Sequence, residues 1–226
     1  MHKRSKRYKE SSQNLDSSKT YSLREAISLL KNFKQPKFDS SVDLHFQLNI
    51  DPKKSDQMVR GTVVLPHGTG KKVRVAVFCK GEHEKQAREA QADYVGANEM
   101  IDKVAGGFMD FDCVIATPDM MRDLSKLGKI LGPRGLMPSP KTGTVTNDIA
   151  KAITEVKKGK IEFRVDKQSG MHVLVGKISF SEGNIFENAN RILEAVNEAR
   201  PQSVKGKFIK SLFISSSMNP GLQIAL

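Results

Sequence analysis

The sequence predicts an α/β fold in two parts: an outer α+β domain built from both ends of the chain, and a Rossmann-like α/β domain inserted between them. Three observations carry this. Val42, Leu44, Phe46, Leu48 and Ile50 alternate strictly with Ser41, Asp43, His45, Gln47 and Asn49, which marks a strand with one buried face. The same texture returns after Gly159, where Ile161, Phe163 and Val165 alternate with Lys160, Glu162, Arg164 and Asp166. Between these regions the short apolar runs VRVAVF, ADYV and DCVIAT are separated by helical segments over 82–91, 97–104, 118–127 and 148–158. That rhythm belongs to βαβ units and a parallel sheet.

In chain order, residues 1–20 hold six basic and two acidic groups with almost no apolar content, and read as a basic mobile arm that an anionic partner would order. Ser22 and Glu25 have capping-box spacing ahead of a helix carrying Leu23, Ala26, Ile27, Leu30 and Phe33, which Pro36 ends. The alternating strand over 41–50 follows, then a turn-rich DPKKSD and a strand GTVVL reaching Pro66. After the inserted section come the strand KIEFRVD, the turn KQSG and the strand MHVLVGKI. A helix with Ile185, Ala189, Ile192, Leu193 and Val196 on one side runs to Pro201, and a last strand spans about 208–216. The expected domains are therefore 1–67 plus 160–226, and 68–159.

Lys and Arg total 37 against 25 Asp and Glu, for a net charge of +12. The outer segments carry net +9 and the insert net +3, so a polyanionic partner is expected on the outer domain. No apolar run approaches membrane-span length, and the basic start has no apolar stretch behind it to make a secretory signal. Cys79 and Cys113 lack any metal-type or redox-type spacing and are expected as buried thiols of a cytoplasmic protein.

Catalytic chemistry is not legible. GTGKK at 68–72 lacks P-loop spacing and precedes a strand rather than opening a helix. His2, His45, His67, His83 and His172 are scattered without metal spacing, and Asp110, Asp112 and Asp119 flank a strand without an activated nucleophile. No cofactor, metal or catalytic residue is expected. An enzyme acting on a small phosphorylated substrate and a non-specific nucleic-acid-binding protein are the alternative readings.

The segment 128–145, GKILGPRGLMPSPKTGTV, is too rich in Gly and Pro to continue a helix, yet Ile130, Leu131, Leu136 and Met137 make it too apolar for a linker. Together with FDSSVDLHFQLNIDPKKSDQMVRGTVVLPHGTGK, ADYVG, GFMDFDCVIATPDMM, KIEFRVDKQSGMHVLVGK and SMNPG, it resembles the bacterial-type protein "one" family of the large ribosomal subunit, which sits on the mobile side stalk. The matches run in the family's order from about Tyr21 onward.

The resemblance implies an α+β outer domain of split β-α-β type with a Rossmann-like three-layer insert. Two crossings would act as a hinge at Pro66, Gly68, Gly70 and Gly159. It implies a monomer within the ribosome, in the cytoplasm, with large-subunit rRNA, exit-site tRNA and its own operon mRNA as partners. Carried over by position, RNA contacts fall on Lys37, Phe38, Ser41, Arg164, Asp166, Lys167, His172, Ser216, Ser217, Met218, Asn219 and Pro220, with Ser41, Lys167 and Ser217 expected to converge. Phe38 is either core or contact. His45 and His172 lie on polar strand faces, as surface histidines or as contacts. Lys53, Lys54 and Arg60 form either a solvated or a phosphate-facing edge. Lys129, Arg134 and Lys141 offer a secondary contact. The family's usual threonine, methionine, glycine, proline is here Ser217, Met218, Asn219, Pro220, and Asn219 is expected to take the glycine's left-handed backbone.

Overall fold

The computed structural model describes residues 4–13, 15 and 19–225; positions 1–3, 14 and 16–18 of the expected arm, with His2, and the final Leu226 lie outside them. Elements run α1 (Lys6–Gln13), α2 (Leu23–Asn32), β1 (Ser41–Leu48), β2 (Arg60–Val64), β3 (Val75–Phe78), α3 (Glu82–Glu89), β4 (Tyr94–Gly96), α4 (Asn98–Ala105) and β5 (Cys113–Ala116). Then follow α5 (Met121–Leu124), α6 (Gly128–Leu131), α7 (Ile149–Lys157), β6 (Lys160–Arg164), β7 (Gly170–Lys177), α8 (Glu182–Glu198), β8 (Ile209–Ser216) and β9 (Leu222–Ile224). The chain divides into two compact units, 1–70 with 161–226, and 71–160.

In the outer unit a four-stranded sheet runs in the order β7-β1-β8-β9, with β1 antiparallel to both neighbours. Its alternation has the anticipated consequence: Val42, Leu44, Phe46 and Leu48 are buried among residues of α2 and α8. Helix α2 starts at the capping box, where Ser22 Oγ accepts from Glu25 N–H (3.3 Å) and Glu25 Oε2 accepts from Ser22 N–H (3.0 Å). The Ser22 N–H bond to the carboxylate, helped by the Ser22 hydroxyl, lowers the Glu25 pKa from its ordinary value. Strands β2 and β6 form a separate pair, so close that a Cβ on Gly61 would lie 2.5 Å from the buried Phe163 ring.

Asn188 of α8, wholly buried, joins three segments. Its Nδ2 donates to the carbonyls of Gly68 (3.0 Å) and Val175 (2.8 Å), and its Oδ1 accepts from His67 N–H (3.1 Å). A buried amide is retained when its hydrogen bonds are satisfied, and this one ties the end of the 60–70 segment to the sheet.

The second unit is a parallel sheet ordered β4-β3-β5. Strand β3 is buried on both faces. Ala76 and Phe78 enter a core with Met100, Val104, Met120 and Leu124, while Val75 and Val77 enter another with Ala87, Ile149 and Ile153. Helices on both sides of a parallel sheet make the anticipated three layers. Cys79 is buried here, and burial pushes its thiol up to about 11, reinforced by Glu84.

Three local expectations are corrected. The N-terminal arm contains helix α1, because local caps supply what apolar content does not: Tyr8 N–H donates to Ser5 Oγ (3.3 Å), and Glu10 meets Lys34 (3.2 Å). The helix over 118–127 is broken into short helical pieces, with Ser125 Oγ bonded back to Met121 C=O (2.8 Å), a competition that bends helices. Finally, Gly128–Leu131 does continue as one helical turn before the Gly/Pro-rich stretch opens, and Leu131 is buried in the core with Ile130, Leu136 and Met137 packed around it. Strand β9, absent from the sequence reading, pairs with β8, and Tyr21 bridges to Ile224.

Candidate nucleic-acid interface

The face of the outer sheet opposite α2 and α8 is polar because strand side chains alternate. Strand β1 contributes Ser41, Asp43, His45 and Gln47; the register sets His45 beside His172 of β7 and Phe213 of β8, and Asp43 beside Ser215. Ser215, Phe213, Lys177 and Ser211 are members of this face that the sequence reading did not single out. Their signal was present as the period of two in β7 and β8.

At the centre, His45 Nδ1 lies 2.9 Å from His172 Nδ1, and His45 Nε2 lies 2.7 Å from Ser215 Oγ. A hydrogen bond between two ring nitrogens requires one donor and one acceptor, so the pair carries at most one positive charge. Burial, then the neighbouring His172, holds His45 below the ordinary histidine value, against the pull of Asp43. Burial raises the Asp43 carboxyl, opposed by His45, His172 and Lys177.

One end of the sheet joins the FDSS and SMNP segments. Ser217 N–H donates to Ser41 C=O (3.0 Å), Ser41 N–H donates to Ser217 Oγ (3.3 Å), and Lys177 Nζ donates to Ser41 Oγ (3.1 Å). Phe38 is 49% exposed and Met218 66% exposed, so Phe38 is not core. Lys37 is exposed as well.

Met218 itself, not Asn219, takes the left-handed backbone, with φ of 63°. Asn219 is buried and turns inward, its Nδ2 donating to Ser216 Oγ (2.9 Å) and Gln35 Oε1 (3.3 Å). The expectation for Asn219 is corrected by this: its amide replaces what a glycine lacks with two internal bonds, and the strain moves one residue earlier. Ser216 and Pro220 are buried too, so the loop exposes Met218, leaves Ser217 half-buried and uses its other members as scaffold.

Lys167 does not converge with Ser41 and Ser217. The turn after β6 lies at the opposite end of β1, where Gln47 Nε2 donates to Gln168 C=O (3.1 Å) and Leu48 N–H to Ser169 C=O (2.9 Å). Eight residues of strand separate the ends by roughly 24 Å. The Asp166 carboxylate builds this turn, accepting from the N–H of Gln168 and Gly170, both at 2.7 Å. Arg164, Lys167, Lys53 and Lys54 are exposed, whereas Arg60 pairs with Glu162 at 2.8 Å. Pro66 precedes the segment fixed by Asn188. Gly68, Gly70 and Gly159 have φ of 66°, 71° and 101°, and in the second unit Lys129, Arg134 and Lys141 stand on the 128–145 segment.

Among the described residues no cluster of three His, Cys, Asp or Glu side chains suits a metal ion, and no helix is long and apolar enough to cross a membrane. The surface is suited to shape recognition: short hydroxyls, exposed backbone and cations around an apolar edge.

Residues 30–220 match the model of the ribosomal protein L1p/L10e family. The chain is 54% identical over 222 residues to the large ribosomal subunit protein uL1 of Onion yellows phytoplasma (strain OY-M), covering 98% of this chain and 96% of the relative. It is 54% identical over 227 residues to that of Fervidobacterium nodosum, covering 100% and 97%, and 54% identical to that of Protochlamydia amoebophila, covering 98% and 94%. A match of that identity along the whole length shows common descent: the chain belongs to the ribosomal protein L1p/L10e family.

Proposed function

We propose that this chain is a structural constituent of the large ribosomal subunit that binds large-subunit rRNA through the outward face of its four-stranded sheet and the loops at both ends. The observation that carries this is the Ser41–Ser217 junction, which sets two exposed apolar side chains, Phe38 and Met218, beside a face of hydroxyls, imidazoles and lysine. A-form RNA hides base edges in its deep groove, so a protein reads its shape, phosphates and ribose hydroxyls with groups of this kind.

The second unit then serves as the outward arm of the side stalk, contacting exit-site tRNA and assisting its release. Gly70 and Gly159, at the two places where the chain passes between units, supply the backbone freedom for a hinge. Pro66 and Gly68 contribute less to rotation, because Asn188 holds His67 and Gly68 on α8. The same RNA-reading face binds a similarly folded element in the operon messenger and represses its translation. The protein acts as a monomer on cytoplasmic ribosomes, without a cofactor and without catalysis.

The test is filter binding of the full chain to a transcribed side-stalk fragment of large-subunit rRNA and to duplex DNA of equal length, across a salt series. Preference for the rRNA that persists at moderate salt is expected. Equal affinity for both, collapsing together as salt rises, identifies a non-specific binder. Stabilisation by a nucleotide with no RNA binding identifies an enzyme.

A further inference from the structure

Helix α1 brings a second group of side chains to the Met218 loop. Arg4, Ser5, Arg7, Tyr8 and Met218 line one open cleft of about 470 Å³. The Arg4 guanidinium lies over the Tyr8 ring, 4.4 Å from its centroid. The Met218 thioether end is the most exposed large apolar side chain of the described residues, displayed by a left-handed backbone. Arg7 Nε is buried without a hydrogen-bond partner, and among the described residues neither Arg4 nor Arg7 forms a salt bridge. The one acid of the helix, Glu10, is paired with Lys34.

We propose that Tyr8, Arg4 and Met218 form a slot for one unstacked nucleobase of the bound RNA, with Arg7 taking the adjoining phosphate. An aromatic ring, a guanidinium plane and a polarisable thioether are all surfaces on which a base stacks. Unpaired guanidinium groups beside them select an anionic ligand and disfavour an apolar peptide. Tyr8 is also the only Phe, Trp or Tyr of the first twenty residues, set in the run KRYKE. The helix holds it in place, with Ser12 Oγ bonded to Tyr8 C=O at 2.7 Å and Glu10 tied to Lys34. The inference rests on the RNA-binding reading above and adds a site outside the sheet face.

The experiment compares the full chain with Tyr8→Leu, Tyr8→Trp and Arg7→Gln for binding to the side-stalk rRNA fragment across a salt series. One stacked base corresponds to about 1–3 kcal/mol, so Tyr8→Leu is expected to weaken binding roughly 5- to 160-fold without changing the salt slope. Tyr8→Trp, which keeps a stacking ring, is expected to stay within about twofold. Arg7→Gln is expected to lower the salt slope by about one. Photocrosslinking with 5-iodouridine-substituted RNA is expected to attach to the peptide bearing Tyr8. The slot is overturned if Tyr8→Leu binds as tightly as the parent, or if the Leu and Trp variants lose affinity equally together with a lowered Tm. If the parent itself ignores the rRNA fragment, the RNA-binding reading fails and the slot with it.

Discussion

Ser41 and Ser217 lie 176 residues apart in sequence and hold each other through Ser217 N–H to Ser41 C=O at 3.0 Å and Ser41 N–H to Ser217 Oγ at 3.3 Å. The junction welds the start of β1 to the loop after β8, so the N-terminal and C-terminal segments present one edge. Ser217→Ala removes the acceptor of the Ser41 amide and is expected to cost about 1 kcal/mol of stability. Ser217→Thr keeps the hydroxyl and is expected to behave as the parent. Urea unfolding distinguishes the two, and equal stability of the alanine variant would refute the coupling.

Met218 separates display from folding. Its left-handed backbone suits glycine better, so Met218→Gly is expected to change stability by less than about 1 kcal/mol while weakening rRNA binding about tenfold or more. Lys129→Ala with Arg134→Ala, in the second unit, is expected to weaken it less than about threefold. Gel-shift titrations of these variants against the same fragment check the assignment; equal losses place the interface elsewhere.

The two ends of the sheet face are about 24 Å apart, beyond the range over which substitutions couple directly. Met218→Ala and Lys167→Ala are therefore expected to act additively on rRNA affinity, within about 0.5 kcal/mol. A double-mutant cycle measures this: a large coupling term would show that the two ends are not independent contacts, and a single variant without effect would show that the RNA does not reach that end.

His45 makes folding pH-dependent. Burial lowers its pKa, so below about pH 6.5 the unfolded chain binds a proton that the folded chain resists, and stability falls as the pH drops. The groups facing it are His172, Asp43, Ser215 and, farther along β7, Lys177. Asp43, with its pKa raised, acts in a lower window with the opposite slope: there stability falls as pH rises. His45→Gln is expected to flatten the slope between about pH 5.5 and 7. Denaturant midpoints across that range read it directly, and an unchanged slope assigns the dependence to other groups.

Asn188→Ala leaves the Gly68 and Val175 carbonyls and the His67 amide without their partner. Removing a buried, fully used amide is expected to destabilise the outer unit by about 2–4 kcal/mol. Chemical unfolding measures the loss, and a value near zero would mean that the clamp is dispensable.

Much of this was legible in local pattern. Alternation over 42–50 gave the buried face of β1, the Ser22–Glu25 spacing gave the cap of α2, and apolar runs separated by helices gave the parallel sheet. The segment 118–127 misled, because its periodicity is helical while Ser125 competes for the backbone. Helix α1 was missed because KRYKESSQ carries no apolar stripe; its cap, Tyr8 N–H to Ser5 Oγ, is a polar signal that was not read. For the interface, the sequence offered the residue types, and the resemblance their positions.

By itself, then, the sequence determined which faces are buried, that strands and helices alternate in the middle of the chain, and which family the motifs resemble. Those follow from periodicity and turn chemistry, which act over a few residues. Only the tertiary structure decided that Lys167 lies at the far end from the Ser41–Ser217 junction, that Asn219 turns inward beneath Met218, and that His45 and His172 share one hydrogen bond. Strand register and loop packing fix these relationships, and they join residues more than a hundred positions apart, beyond the reach of any local pattern.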